Sequence, residues 1–154
     1  MSNTYAPCPS CESINRVPIG RSEAEAPICG KCKSLLPVEH GVVEVSGTSL
    51  QHLIDRLSLP ILTDFWAPWC VPCRAFKIEF QKAAAQMGDQ LVFTSLNSMD
   101  HAIAADLHGV KTLPTLVIFH HGNEIDRHFG AVSGQALMEW VRGALGQEPL
   151  RSAA

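Results

Sequence analysis

Six cysteines stand in three Cys-x-x-Cys pairs: Cys8 with Cys11, Cys29 with Cys32, and Cys70 with Cys73. Thiolates do two kinds of chemistry, attack on disulfides and ligation of soft metal ions. The surroundings of each pair indicate which. Cys70 and Cys73 follow an apolar run, residues 61–66, and Pro72 stands between them where a helical pattern begins. Proline is tolerated in a first helical turn, whose N–H groups have no internal partner. A thiol at that end meets free amide donors and the positive end of the helix dipole, which favours its thiolate. Residues three apart share a helix face, so Cys73 reaches back to Cys70 and can close a small disulfide ring. That is the layout of an exchanging dithiol. Cys70, at the exposed end of the helix, is the expected nucleophile, and Cys73, one turn deeper, the resolving thiol. A metal site here would need further ligands, and residues 53–100 hold no other Cys and no His.

The other four cysteines have a different setting. Cys8-Pro-Ser-Cys11 and Cys29-Gly-Lys-Cys32 leave 17 residues between them, within the spacing of a four-cysteine zinc site. Each tight turn lets two thiolates grip one ion, and Gly30 adds backbone freedom in the second. The segment between holds few large apolar residues, mainly Ile14, Val17, Ile19 and Ile28. Forty residues with so little to bury need a staple, and a closed zinc site is one. One structural zinc per chain is expected on Cys8, Cys11, Cys29 and Cys32, and no organic cofactor. Reading these pairs as redox dithiols is weaker, because neither opens an obvious helix.

Around these residues the chain alternates strand and helix patterns. Residues 42–45 read as a strand, and Ser46 to Ser49 lead into a short helix carrying Leu50, Leu53, Ile54 and Leu57. The run 61–66 reads as a buried strand. A helix from Cys70 to about Met87 aligns Phe76, Phe80, Ala83, Ala84 and Met87 on one stripe, with Lys77 and Lys82 outside it and Gly88 stopping it. Residues 91–96 read as a strand and 100–107 as a helix. Residues 115–119 and 124–129 form a hairpin around His120-His121-Gly122-Asn123. Ser133 caps a last helix with Leu137, Val141 and Leu145 inward. The division that follows is a zinc-binding segment at 1–40, an α/β domain with a mixed sheet flanked by helices at 41–146, and a loose tail at 147–154.

Composition removes several function classes. The 154 residues carry a net charge of −3, and 46% are hydrophobic, enough for a core. Residues 1–40 balance Arg16, Arg21, Lys31 and Lys33 against Glu12, Glu23, Glu25 and Glu39. Neither nucleic acid nor a membrane is expected as a partner, because there is no basic footprint and the apolar runs are short. The first residues show neither a basic leader nor an apolar core, so no secretory signal is expected and the expected compartment is the cytoplasm. There, six cysteines point to metal or redox chemistry rather than structural disulfides.

Asp64 interrupts an apolar strand. A buried carboxylate is costly unless protonated or paired, and burial raises its pKa. Such a group can exchange a proton with Cys73 as that thiol reacts. An edge-strand aspartate facing water is the alternative, but its same-face neighbours Leu62 and Trp66 are apolar. Trp69, just before Cys70 on a surface loop, is expected on a docking rim, whereas Trp66, on the strand, is expected to pack. His120 and His121 at a hairpin tip are expected to be solvated.

The stretch Asp64-Phe-Trp-Ala-Pro-Trp-Cys-Val-Pro-Cys73 resembles the active-site segment of thioredoxins, which usually reads Trp-Cys-Gly-Pro-Cys. Leu113-Pro114-Thr115 resembles that family's cis-proline loop, and Gly130-Ala131 the glycine of its last strand. The likeness covers roughly residues 41–146, and the fuller match is to the thioredoxin-2 type, with a zinc-binding segment ahead of the domain. The resemblance implies a thioredoxin fold and gives Asp64 the role of the matching buried acid. It also implies a cis Pro114 opposite the dithiol, where from sequence alone a trans turn proline is the default, and free backbone groups at Leu113 for a substrate strand. It implies reduction by a flavin-dependent thioredoxin reductase. Two positions depart from the pattern: Val71 replaces the usual glycine, and Ser95 stands where a lysine is common near the acid.

The function expected is a protein-disulfide reductase working through Cys70 and Cys73 on disulfide-containing proteins. The competing reading is a redox-regulated sensor or chaperone-like binder that releases zinc on oxidation. A nucleic-acid adaptor built on the zinc segment ranks last.

Overall fold

The structure is a computed structural model and describes residues 3–20 and 26–146. The expected tail at 147–154 lies outside the described residues. The chain begins with β1 (Asn3–Pro7) and β2 (Ile14–Pro18), an antiparallel pair in register from Asn3 with Pro18 to Pro7 with Ile14. This hairpin was not legible in the sequence reading. Its strands are short, and the prolines sit at strand ends, where a missing N–H costs no ladder bond. After the second cysteine turn come β3 (Val38–Glu39), β4 (Val42–Glu44), α1 (Gly47–Arg56), β5 (Ile61–Trp66) and α2 (Val71–Met87). Then follow β6 (Val92–Asn97), α3 (Ala102–Leu107), β7 (Thr115–His120), β8 (Asn123–Phe129) and α4 (Gly134–Ala144).

The six-stranded sheet has the order β3-β4-β6-β5-β7-β8. Its inner strands β4, β6 and β5 run parallel, while β3, β7 and β8 pair antiparallel, giving the mixed sheet expected. Successive strand residues face opposite sides, and β5 shows the consequence. Ile61 and Phe65 join the cluster on the α1 and α3 side, whereas Leu62 joins Phe76 and Phe80 on the α2 and α4 side. Asp64 and Trp66 have the parity of Leu62. Ser46 and Ser133 cap α1 and α4, accepting from Ser49 N–H at 3.1 Å and Ala136 N–H at 3.2 Å.

Gly88 stops α2 as expected, capping it in a right-handed conformation. A Cβ there would collide with Ile19, whose side chain fills the space. The N-terminal segment packs on the larger domain. Ala6, Cys8, Val17, Cys29 and Leu36 belong to the same buried cluster as Val43, Val45, Leu50 and Leu53. What the segment lacks in apolar residues of its own it finds on the larger domain's surface. Ile28 is exposed and takes no part.

Candidate functional site

Cys70 is the N-cap of α2, and its Sγ accepts the N–H of Cys73 at 3.3 Å. Val71 and Pro72 occupy the first two helical positions, where proline's missing donor costs nothing. Cys70 and Cys73 are joined in a disulfide with Cα atoms 5.3 Å apart. Cys70 is recessed, 5% exposed, between Trp69 at 68% and Val71 at 64%. The helix end is therefore open, as expected, while the sulfur lies below its two neighbours.

The bridge rests on Ala67, with Trp66 and Leu113 packed against it. The Leu113–Pro114 peptide is cis, as the resemblance implied. An open groove runs past Cys70, lined by Trp69, Val71, Ser98, Val110, Lys111 and Leu113. Trp69 stands on its rim, and Trp66 packs. No sequence pattern marks Arg127 on β8, which ties that strand to the turn after α3. Its guanidinium donates to the carbonyls of His108 and Gly109 and pairs with Glu124 through two bonds of 2.9 and 2.7 Å. No periodicity marks such a residue; only the register of β7 and β8 brings it there. His108, held between Phe65 and Phe119, has its pKa lowered by burial and then by Arg127.

Asp64 is buried on the α2 face, and its Oδ1 has no hydrogen-bond partner. Desolvation alone pushes its pKa up to about 7. It lines one cavity with Cys73 and Ser95. Ser95 is its register partner on β6, and Glu44 follows on β4, so no lysine stands in that row. The cations at this cavity come from α2 instead, as Arg74 and Lys77.

The four remaining cysteines converge although 17 residues separate the pairs, and their Sγ atoms all lie within 4.8 Å of one another. Cys8 and Cys32 are 3.5 Å apart, and Cys11 and Cys29 3.6 Å. Tetrahedral zinc with bonds of about 2.3 Å sets sulfur–sulfur edges of roughly 3.8 Å. The donor set fits.

The two turns repeat one design. Cys8 N–H donates to Ser13 O and Cys29 N–H to Ser34 O, each at 2.8 Å. Glu12 and Lys33, directly after the second cysteines, both take positive φ, 68° and 66°. Amides aim at the sulfurs: Ser10 N–H at Cys8 (3.4 Å), and Lys31 and Cys32 N–H at Cys29 (3.4 and 3.5 Å). The Ser13 hydroxyl at 3.2 Å, with those amides and Asn15, brings the Cys29 thiol down to about 5. Among the described residues, no other cluster of this kind occurs. His120 and His121 stack at the hairpin tip, His120 also reaching Ser58 O at 3.2 Å.

The family model described as Thioredoxin matches residues 41–143, and that described as Thioredoxin 2, N-terminal, matches residues 7–34. Thioredoxin C-3 of Corynebacterium nephridii is 32% identical over 92% of this chain and 95% of its own length. Thioredoxin 1 of Synechococcus elongatus is 40% identical over 57% of this chain and 82% of its own. The thioredoxin of Rhodospirillum rubrum is 30% identical over 66% and 98%. No helix among the described residues is long and apolar enough to cross a membrane.

Proposed function

The chain belongs to the thioredoxin family and is a thiol–disulfide oxidoreductase, and from that premise we propose that it reduces protein disulfides through Cys70 and Cys73, with Asp64 as the proton partner of Cys73. The observation that carries this reading is the bridge at the N-terminus of α2, backed by an unpaired buried acid and faced by the cis Leu113–Pro114 peptide. The Cys70 thiolate attacks one sulfur of a substrate disulfide and releases the other as a thiolate. Asp64 accepts the proton of Cys73, whose thiolate then attacks Cys70 Sγ. The Cys70–Cys73 bond forms, and the second substrate thiol leaves. A carboxyl that titrates near pH 7 suits that transfer, since proton exchange is most efficient near the operating pH.

Trp69 and Leu113 line the approach, and backbone groups beside Pro114 pair with an extended substrate segment. Thioredoxins in general act on disulfide substrates and are reduced by thioredoxin reductase; for this chain a flavin-dependent reductase is the proposed electron donor. The domains are the zinc-binding segment 1–40 and the thioredoxin domain 41–146. Cys8, Cys11, Cys29 and Cys32 hold one zinc, and four thiolates leave it no open position, so the metal is structural. A reducing compartment such as the cytoplasm keeps those thiolates available.

The test is reduction of insulin disulfides with dithiothreitol, coupled in parallel to a thioredoxin reductase. Turnover in both supports the reading. Catalysis no faster than dithiothreitol alone overturns it.

A further inference from the structure

The cavity that contains Asp64 and Cys73 encloses about 580 Å³ and has three sides. Its floor is the sheet, with Asp64, Ser95 and Glu44 in one row. Its second side is α2, through Cys73, Lys77 and Phe80. Its third side is residues 36–39, the stretch that joins the four-cysteine turns to the sheet.

That third side is fastened at both ends. Toward the cysteines, Leu36 N–H donates to Pro27 O at 2.9 Å, and Leu35 bridges Ile28. Toward the sheet, Pro37 O accepts Glu44 N–H at 2.8 Å, and Val38 pairs with Val43. Leu36 is 5% exposed and shares its apolar cluster with Cys29 and Val43. One residue thus belongs to the buried cluster that includes Cys29 and also lines the acid's cavity.

We propose that residues 36–39 form a wall that limits the approach of water to Asp64, that Leu36 is the positioning residue that holds this wall, and that the four-cysteine cluster helps keep it in place. For the role of Asp64 itself this rests on the reading given above. The sheet and α2 are built by the larger domain, whereas the wall also leans on the cysteine turns, which a bound metal would tighten. When those turns relax, more water reaches the carboxyl and its charged form becomes easier to make. The charged groups facing the cavity are Glu39 on β3, Glu44 on β4, and Arg74 and Lys77 on α2. The two signs offset each other, leaving desolvation as the resolved cause of the Asp64 shift. A cavity opened to water therefore moves Asp64 downward.

The experiment is a carboxyl titration by NMR on the reduced, full-length protein with 13C-labelled aspartate, the Asp64 signal being assigned by its loss in Asp64→Asn. Wild type, Leu36→Ala, Leu36→Val and wild type stripped of metal by a chelator are compared. The midpoint of Asp64, about 7 in the intact protein, falls toward the ordinary aspartate value of about 3.9 in Leu36→Ala and in the metal-free protein, with Leu36→Val between. An unchanged midpoint in a folded Leu36→Ala overturns the wall. Should that variant fail to fold, an unchanged midpoint in both Leu36→Val and the metal-free protein overturns it equally. The pH profile of insulin-disulfide reduction is read on the same proteins. If the midpoint falls but that profile does not move, the wall stands and the assignment of Asp64 as the proton partner is what fails.

Discussion

Three Cys-x-x-Cys pairs with identical spacing take up two arrangements, one bridge and one four-sulfur cluster, and the contrast lies in what the backbone does after the second cysteine. After Cys73 the chain continues as helix, so the pair is fixed at a helix N-terminus with its sulfurs joined to each other. After Cys11 and Cys32 the chain turns through a residue of positive φ and returns to a serine that closes the loop by hydrogen bond. There the sulfurs point at the opposite pair, not at each other. Spacing sets the reach of two thiols; the next residue sets what they reach for.

Removing sulfur from each kind of pair gives the largest effects. Cys70→Ser abolishes insulin reduction because no attacking thiolate remains, whereas Cys73→Ser accumulates a mixed disulfide visible by mass spectrometry. A Cys70→Ser variant with most of its turnover would erase the distinction between the pairs. In the metal turns, Cys29→Ser combined with Cys32→Ser should take zinc from about one per chain to none by elemental analysis. It should leave the attack by Cys70 in place. Because Ala6, Val17 and Leu36 share the larger domain's cluster, the loss also lowers Tm by roughly 5–10 °C in calorimetry. An unchanged Tm would mean that the shared cluster contributes nothing to stability.

Asp64 sharpens the contrast, since on the proposed reading it serves one pair alone. With its pKa raised to about 7, the folded state holds a proton that the unfolded chain releases near pH 3.9. Stability therefore falls as pH rises from about 4 to about 7 and is level above that. Asp64→Asn should flatten this dependence and stabilise the fold above pH 7 by up to about 4 kcal/mol, read by urea denaturation. The same variant slows resolution of the mixed disulfide by about 10²-fold, the low end for a general base, with zinc content unchanged. The smallest effect is that of Glu12→Gly. Glycine accepts φ of 68° without strain, yet its unfolded chain is freer, so the net gain is about 0.5 kcal/mol, seen as a Tm raised by 1–2 °C. A lower Tm would show that the Glu12 side chain supports the turn.

The catalytic half of the molecule was legible because its signals are local. The apolar run 61–66 is β5 residue for residue, the helix at 134 begins directly after the capping Ser133, and the helix read from Cys70 starts one residue later, with Cys70 as its cap. Asp64 could be placed by the alternation of its own strand. The zinc half was legible only in its cysteines. β1 and β2 carry no apolar alternation of their own, because their inward residues Ala6 and Val17 are small and complete a cluster supplied by distant residues. Arg127 and the wall at 36–39 were invisible for the same reason. Each acts through a contact that only strand pairing creates.

The two rims of the sheet bear on how the protein behaves when crowded. A free strand edge invites another chain to add to it, the first step of sheet-to-sheet aggregation. At one rim β3 is two residues long and follows directly on Pro37, which has no N–H to offer. At the other, β8 carries Glu124, Asp126, Arg127 and His128, and the β7–β8 register slips at Ile118 and Phe119. Charge, the register slip and the short length of β3 thus disfavour strand addition at the two rims of this sheet.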